Sequence, residues 1–235
     1  MCPPPTLSRL HPTHARTHPP TRPLPFSADW YTWTTTSPGG VSVQVAYIDT
    51  VILAGMSYED EATGEFVEGE AHPMQVHASK QLAWLEATLA ASTADYLFVS
   101  GHYPVYSQCQ HGPTAALIEQ VLPMMRTYRA SGFLAGHDHC LGHYDGKDDD
   151  DGMIFVLAGA GKECCYSPAH LDNKANAGDL AFRMDGEQKH GASGGFASIT
   201  ATAAGAAATY YDQDGTSLFT SKAIAPRAKK VVEAS

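Results

Sequence analysis

Positive charge is scarce in this chain. Fifteen lysines and arginines face 25 aspartates and glutamates over 235 residues, a net charge of −10. Nonspecific nucleic-acid binding draws on a basic surface, so no nucleic-acid partner is expected. An acidic protein still accepts phosphate substrates where cations neutralise them locally. Long apolar runs are also missing. None approaches the roughly 18 residues of a membrane-crossing helix, so no membrane span is expected, and no continuous apolar segment reads as a signal peptide. Cysteine is sparse: Cys2, Cys109, Cys140, Cys164 and Cys165 make no Cys-x-x-Cys spacing and no disulfide-scaffold pattern. The adjacent Cys164 and Cys165 read as reduced, buried thiols rather than a strained vicinal disulfide.

What is present divides into an arm and a domain. Met1 to Pro25 hold eight prolines, three arginines, three histidines and no acid. With so little to bury, that segment does not offset its ordering entropy, and a disordered Pro/His-rich arm is expected over 1–27. His11, His14 and His18 read there as incidental. A globular domain follows over 28–227, with a short tail over 228–235. Val41, Val43 and Val45 alternate with polar neighbours, and Tyr47 to Leu53 is nearly continuous apolar, which predicts one or two strands. An acidic surface loop is expected over Asp60 to His77. Ser79 is placed to cap a helix over Lys80 to Ala91, and a second helix is expected over Thr114 to Ala130, kinked at Pro123. Further strands are expected at Asp95–Ser100, Gly132–Ala135, Met153–Leu157, Phe196–Thr202, Ala206–Tyr211 and Ser217–Thr220. Asp145 to Gly152 reads as a solvated hairpin turn: it lacks the ligand spacing of a calcium loop. Gly159 to Gly195 is glycine-rich and irregular.

Two histidine loops carry the chemistry. Gly101-His102-Tyr103-Pro104 follows the apolar run Tyr96-Leu97-Phe98-Val99, and Gly136-His137-Asp138-His139 follows Gly132-Phe133-Leu134-Ala135. In an open α/β sheet such turns deliver side chains at the carboxyl ends of strands, where ligands bind. Neutral imidazole is a common ligand for zinc, iron and related ions. His102, His137 and His139 are therefore candidate metal ligands. His72, His77, His143, His170 and His190 lack such context and read as ordinary surface or core residues.

The ordered part resembles the tartrate-resistant (purple) acid phosphatases of the calcineurin-like metallophosphoesterase superfamily, from about Trp30 to Arg227. The motifs run in order: Ile48-Asp49-Thr50, Gln81-Leu82-Ala83-Trp84-Leu85, the two histidine loops, His111-Gly112-Pro113-Thr114, Leu157-Ala158-Gly159-Ala160-Gly161, Gly194-Gly195-Phe196-Ala197 and Gly215-Thr216-Ser217-Leu218-Phe219. The resemblance implies an α/β fold, a β-sandwich flanked by helices. It implies hydrolysis of phosphate monoesters by a metal-bound hydroxide at a dinuclear centre of iron with iron, zinc or manganese. His102 and His137 correspond to ligands of the more labile divalent ion, and His139 to a ligand of the ferric ion. His111 corresponds to a catalytic histidine that contacts substrate phosphate and assists the leaving group. Tyr103-Pro104 would stiffen the first loop, and Asp138 would orient the second rather than bind metal.

The family's amino-terminal loops, Gly-Asp, Gly-Asp-Asn-x-x-Tyr and Gly-Asn-His-Asp, have no counterpart here. The expected fold is thus a sandwich lacking its amino-terminal half, with upstream coding sequence carrying the rest. Without a bridging carboxylate two neighbouring cations repel, so at most one divalent metal is expected in this chain. A catalytically inactive binding or scaffold protein is the alternative function, and a hydrolase with one zinc on the three histidines is a third reading. The resemblance implies a secreted or lysosomal/vacuolar location. At the positions of the disulfide of mammalian members stand Ala54 and Ala116, so that bridge is not expected.

Overall fold

The computed structural model describes residues 30–55, 58–59, 66–67, 75–146, 152–161, 169–170, 172, 179–184 and 194–228. The expected arm over 1–27, most of the acidic loop, and Cys2, Cys164 and Cys165 lie outside them. Twelve strands are described: β1 (Tyr31–Thr36), β2 (Ser42–Tyr47), β3 (Tyr58–Glu59), β4 (Phe66–Val67), β5 (Tyr96–Ser100), β6 (Gly132–Ala135), β7 (Leu141–Asp145), β8 (Ile154–Ala158), β9 (Asp179–Arg183), β10 (Gly195–Ala201), β11 (Ala206–Asp212) and β12 (Ser217–Thr220). The large sheet has the order β1-β2-β5-β6-β8-β7-β9, and β10-β11-β12 form a second, antiparallel sheet.

Strands β2, β5, β6 and β8 pair in parallel, and β1, β7 and β9 add antiparallel edges. Parallel strands are buried on both faces, and β5 has four buried residues in a row. The two-residue alternation of a strand then sorts side chains between two cores. Leu97 and Val99 join the layer of Leu85, Leu89, Leu117, Leu122 and Met125 from the helices. Tyr96 and Phe98 join Ile154, Val156, Ala208 and Tyr210, between the two sheets. This is the expected helix-flanked sandwich. Over β1 and β2 the second layer thins, leaving Trp33 46% exposed beside a groove of about 420 Å³ lined also by Val41, Val43 and Phe98.

Three local departures from the sequence reading have physical causes. The apolar run Tyr47–Leu53 does not continue as strand. Asp49 caps a short helix α1 (Thr50–Ala54), its side chain accepting from the N–H groups of Val51 and Ile52. Helix α2 (Gln75–Ala91) starts before Ser79, which sits inside it rather than capping it. The helix that ends in α3 (Leu122–Thr127) widens into a π-turn over Leu117–Val121, where the Leu122 N–H reaches back to the Leu117 carbonyl. Pro123 has no N–H for the preceding turn, and its ring crowds the carbonyl four residues back, so the helix expands there.

Near its carboxyl end the chain closes with a clamp. The Arg227 guanidinium donates to the carbonyls of Ala94, Tyr128 and Arg129 and to Ser92 Oγ, and the Arg227 N–H donates to the Asp95 carbonyl. Burial lowers the pKa of this guanidinium, as it does for any cation withdrawn from water.

Candidate metal and phosphate site

The two histidine loops leave adjacent parallel strands and are zipped together by backbone bonds. The Gly101 N–H donates to the Leu134 carbonyl at 3.1 Å, and the Gly136 N–H to the His102 carbonyl at 3.0 Å. Behind them the other motifs act as scaffold. Gln81 is fully buried; it accepts from the Asp49 N–H at 2.6 Å and donates to the Asp49 carbonyl at 2.9 Å. Asp49 caps α1, and Thr50 Oγ1 accepts the Tyr103 N–H at 3.0 Å, seating the first loop. Glycine is required at 101 by proximity alone: a Cβ there would stand 2.4 Å from Thr50 Cγ2. It is required at 159 for the same reason, since a Cβ would stand 1.9 Å from the Asp138 carbonyl oxygen.

His102, His111 and His137 converge on this edge. His137 Nδ1 lies 3.3 Å from His102 Nε2. The His111 and His137 rings have centroids 4.2 Å apart, and Tyr103 packs on His137 at 4.4 Å. His137 adopts a left-handed φ of 69°, uncommon for a residue with a Cβ and enriched at functional sites. Burial, then the neighbouring His111, His102 and His139, push its pKa down to about 3, so its ring is neutral at ordinary pH. His139 is exposed, near enough to act on His137 electrostatically. Among the described residues no group of three or more His, Cys, Asp or Glu side chains is arranged to hold an ion.

A metal is tested against this donor set by spacing. Two nitrogens each about 2.0–2.1 Å from a tetrahedral zinc stand roughly 3.3 Å apart. The His102–His137 pair has that separation, and both are aromatic nitrogens of the type such ions prefer. The pair fits one ion; among the described residues no third His, Cys, Asp or Glu is arranged with it.

His111 arrives on the segment after the first loop and is held by Asp138. The buried Asp138 carboxylate accepts the Ser107 hydroxyl on one oxygen and the His111 N–H, at 2.8 Å, on the other. Both oxygens are thereby engaged within the protein. The same carboxylate stands 3.9 Å from His111 Nε2, so a proton on that ring faces a buried negative charge.

The profile of the calcineurin-like phosphoesterase family matches residues 9–141, more than half of the sequence. The chain belongs to that family. This phosphoesterase chain is 39% identical over 183 residues to tartrate-resistant acid phosphatase type 5 of Sus scrofa, covering 77% of the chain and 50% of that protein. It is 31% identical over 177 residues to purple acid phosphatase 17 of Arabidopsis thaliana, covering 74% and 48%. The chain thus spans about half the length of the curated relatives it matches. In fold it is similar to a solved structure described as GAP50, the anchor in the inner membrane complex of Plasmodium. The TM-score is 0.62 at 18% identity, over 86% of this chain and 56% of that one.

Within the phosphoesterase chain the structure adds parts that sequence reading missed. Cys109 and Cys140 form a disulfide, although their spacing of 31 residues resembles no scaffold pattern. The pairing follows from the fold, which brings the segment before His111 onto the turn after His139. His170, which has no motif around it in the sequence, places its Nδ1 2.8 Å from the Cys109 carbonyl and packs its ring on Gly112. His143 does belong to the core, between Tyr210 and Asp145.

Proposed function

We propose that this chain is the carboxy-terminal part of a metal-dependent phosphate monoester hydrolase. His102 and His137 hold one divalent ion, and His111 contacts the substrate phosphate. The observation that carries the reading is the convergence of the three rings, with a nitrogen pair at 3.3 Å and the His111 ring packed at 4.2 Å from that of His137, tilted by 34°. When bound, a divalent ion supplies positive charge against the phosphate oxygens, which an acidic chain otherwise repels. The neutral His137 ring offers a lone pair to that ion without first losing a proton. His111 donates a hydrogen bond to a phosphate oxygen and is placed to pass a proton to the leaving oxygen, with Asp138 steadying the charged ring. Because both Asp138 oxygens are already engaged, no described carboxylate is free to bridge a second ion at this edge, and one ion per chain is the reading for these residues. The iron, zinc or manganese pair of the dinuclear centre, and His139 as a ligand within it, belong to the proposal for the whole protein.

Zinc titration by calorimetry tests this on the full chain. The expected stoichiometry is one ion, with affinity at least about tenfold lower in His102→Ala and in His137→Ala. Inorganic phosphate should then bind only to the zinc-loaded chain, and more weakly in His111→Ala. Zinc binding untouched by either ligand substitution would sink the assignment. The second reading, a phosphatase-like binding or scaffold protein, is favoured by the missing third ligand among the described residues. A cooperatively folded chain that takes up neither zinc nor phosphate would support it.

A further inference from the structure

Residues 107–111 form neither helix nor strand, yet this segment is tied down along its length. Ser107 and His111 are bound to Asp138, and the Gln108 N–H donates to Tyr144 Oη at 2.8 Å. Cys109 is covalently joined to Cys140, with Cα atoms 6.6 Å apart and both residues buried. From behind, His170 Nδ1 donates to the Cys109 carbonyl at 2.8 Å. The Asp138 bonds and the disulfide end on one turn, 138–140, which follows His137 directly and contains His139. One covalent bond therefore joins the two segments that present His111 and His137 to each other.

We propose that the Cys109–Cys140 disulfide is a positioning element for His111. It sets the ring against His137 at the distance phosphate recognition needs, and it rests on the phosphatase reading given above. Small misplacements of a recognition group are costly, because affinity depends on geometry fixed in advance. With the bond open, the segment is left to non-covalent contacts, among them hydrogen bonds with Asp138, Tyr144 and His170, which local opening exposes to water. The His102–His137 pair is held separately, by the backbone bonds from Gly101 to Leu134 and from Gly136 to His102. Opening the disulfide should therefore change phosphate binding and spare zinc binding.

The test compares the oxidised full chain with the same chain after a phosphine has reduced the bond to two thiols, and with Cys109→Ala/Cys140→Ala. Reduction covers the case in which the double variant fails to fold, and reoxidation serves as rescue. Hydrogen exchange at the His111 amide is expected to accelerate about tenfold or more on reduction. Inorganic phosphate affinity of the zinc-loaded chain is expected to fall about tenfold, with zinc affinity unchanged. Unchanged exchange at His111 overturns the proposal, as does faster exchange with phosphate affinity intact. If the oxidised chain binds no phosphate while exchange still responds, the phosphatase reading fails and the disulfide stands as what holds His111.

Discussion

The close approach at Gly101 makes a prediction that two substitutions can isolate. A Cβ at this position would meet Thr50 Cγ2 at 2.4 Å, then Ile48 Cγ1 at 3.2 Å and the Ile48 carbonyl at 3.4 Å. Gly101→Ala alone forces that contact apart, and overpacking of a tight core costs about 1–3 kcal/mol. Reduced freedom of the unfolded chain offsets roughly 0.4–1 kcal/mol, leaving a loss of about 1 kcal/mol. Thr50→Ser removes the colliding methyl and keeps the hydroxyl that accepts the Tyr103 N–H. Alone it costs about 1 kcal/mol for one buried methyl. In the double variant the alanine methyl occupies the vacated space, so the total should be about 1 kcal/mol rather than about 2. That is a coupling of about 1 kcal/mol in a double-mutant cycle. Urea unfolding followed by circular dichroism measures all four proteins, and equal slopes confirm comparable unfolded states. Additivity within about 0.5 kcal/mol would refute the claim that Thr50 is what reserves position 101 for glycine.

Asp138→Ala should cost about 2 kcal/mol, since it removes the acceptor of the His111 N–H and of the Ser107 hydroxyl, and a lost acceptor costs roughly 1–3 kcal/mol; Asp138→Asn should cost about half that or less, because one oxygen still accepts the His111 N–H. Equal melting temperatures for the two variants would show that those bonds are not what matters. Burial lowers the pKa of His143 below its usual value, and the adjacent Asp145 opposes the shift only in part. The unfolded chain then takes up a proton that the folded chain refuses as the pH falls below about 6.5. Stability should drop through that window, and His143→Gln should flatten the slope; equal slopes from about pH 7 to about pH 5 count against the argument. Zinc at about a hundred times its dissociation constant should stabilise the chain by about 2.7 kcal/mol. A chelator should abolish the gain, and His102→Ala, with zinc affinity at least about tenfold lower, should cut it to about 1.4 kcal/mol or less in the same unfolding experiment.

Strong local patterns were legible in the sequence. The apolar runs before both histidine loops became the adjacent strands β5 and β6, and the alternating carboxy-terminal segments became β10 to β12. Elements decided by distant partners were not. Strand β1 is exposed along its whole length and rich in threonine; pairing with β2, not hydrophobicity, makes it a strand. Leu141–Asp145 reads as an interrupted Leu-Gly-His-Tyr-Asp, yet its buried His143 meets the Tyr210 hydroxyl and its buried Tyr144 hydroxyl accepts the Gln108 backbone N–H, both far away in the chain. Strand β9 is defined by its pairing to β7, inside a stretch whose glycines read as irregular. The disulfide escaped for a related reason: Cys109 and Cys140 lie on different loops, and nothing in their spacing records that β5 and β6 are neighbours. For the site itself, residue types marked His102, His111 and His137 as candidates, whereas their separations are a property of the fold alone.

The Arg227 clamp has a consequence for how the molecule is made. Its guanidinium satisfies carbonyls at the end of α3 and in the turn between α2 and β5, all of which leave the ribosome roughly a hundred residues earlier. Until Arg227 emerges, those acceptors have only water or a chaperone to bond. The parallel sheet can assemble during translation, but it is latched only once Arg227 has emerged. A nascent chain stalled short of that arginine should thus be far more susceptible to protease around Ser92 and Tyr128 than one released just beyond it.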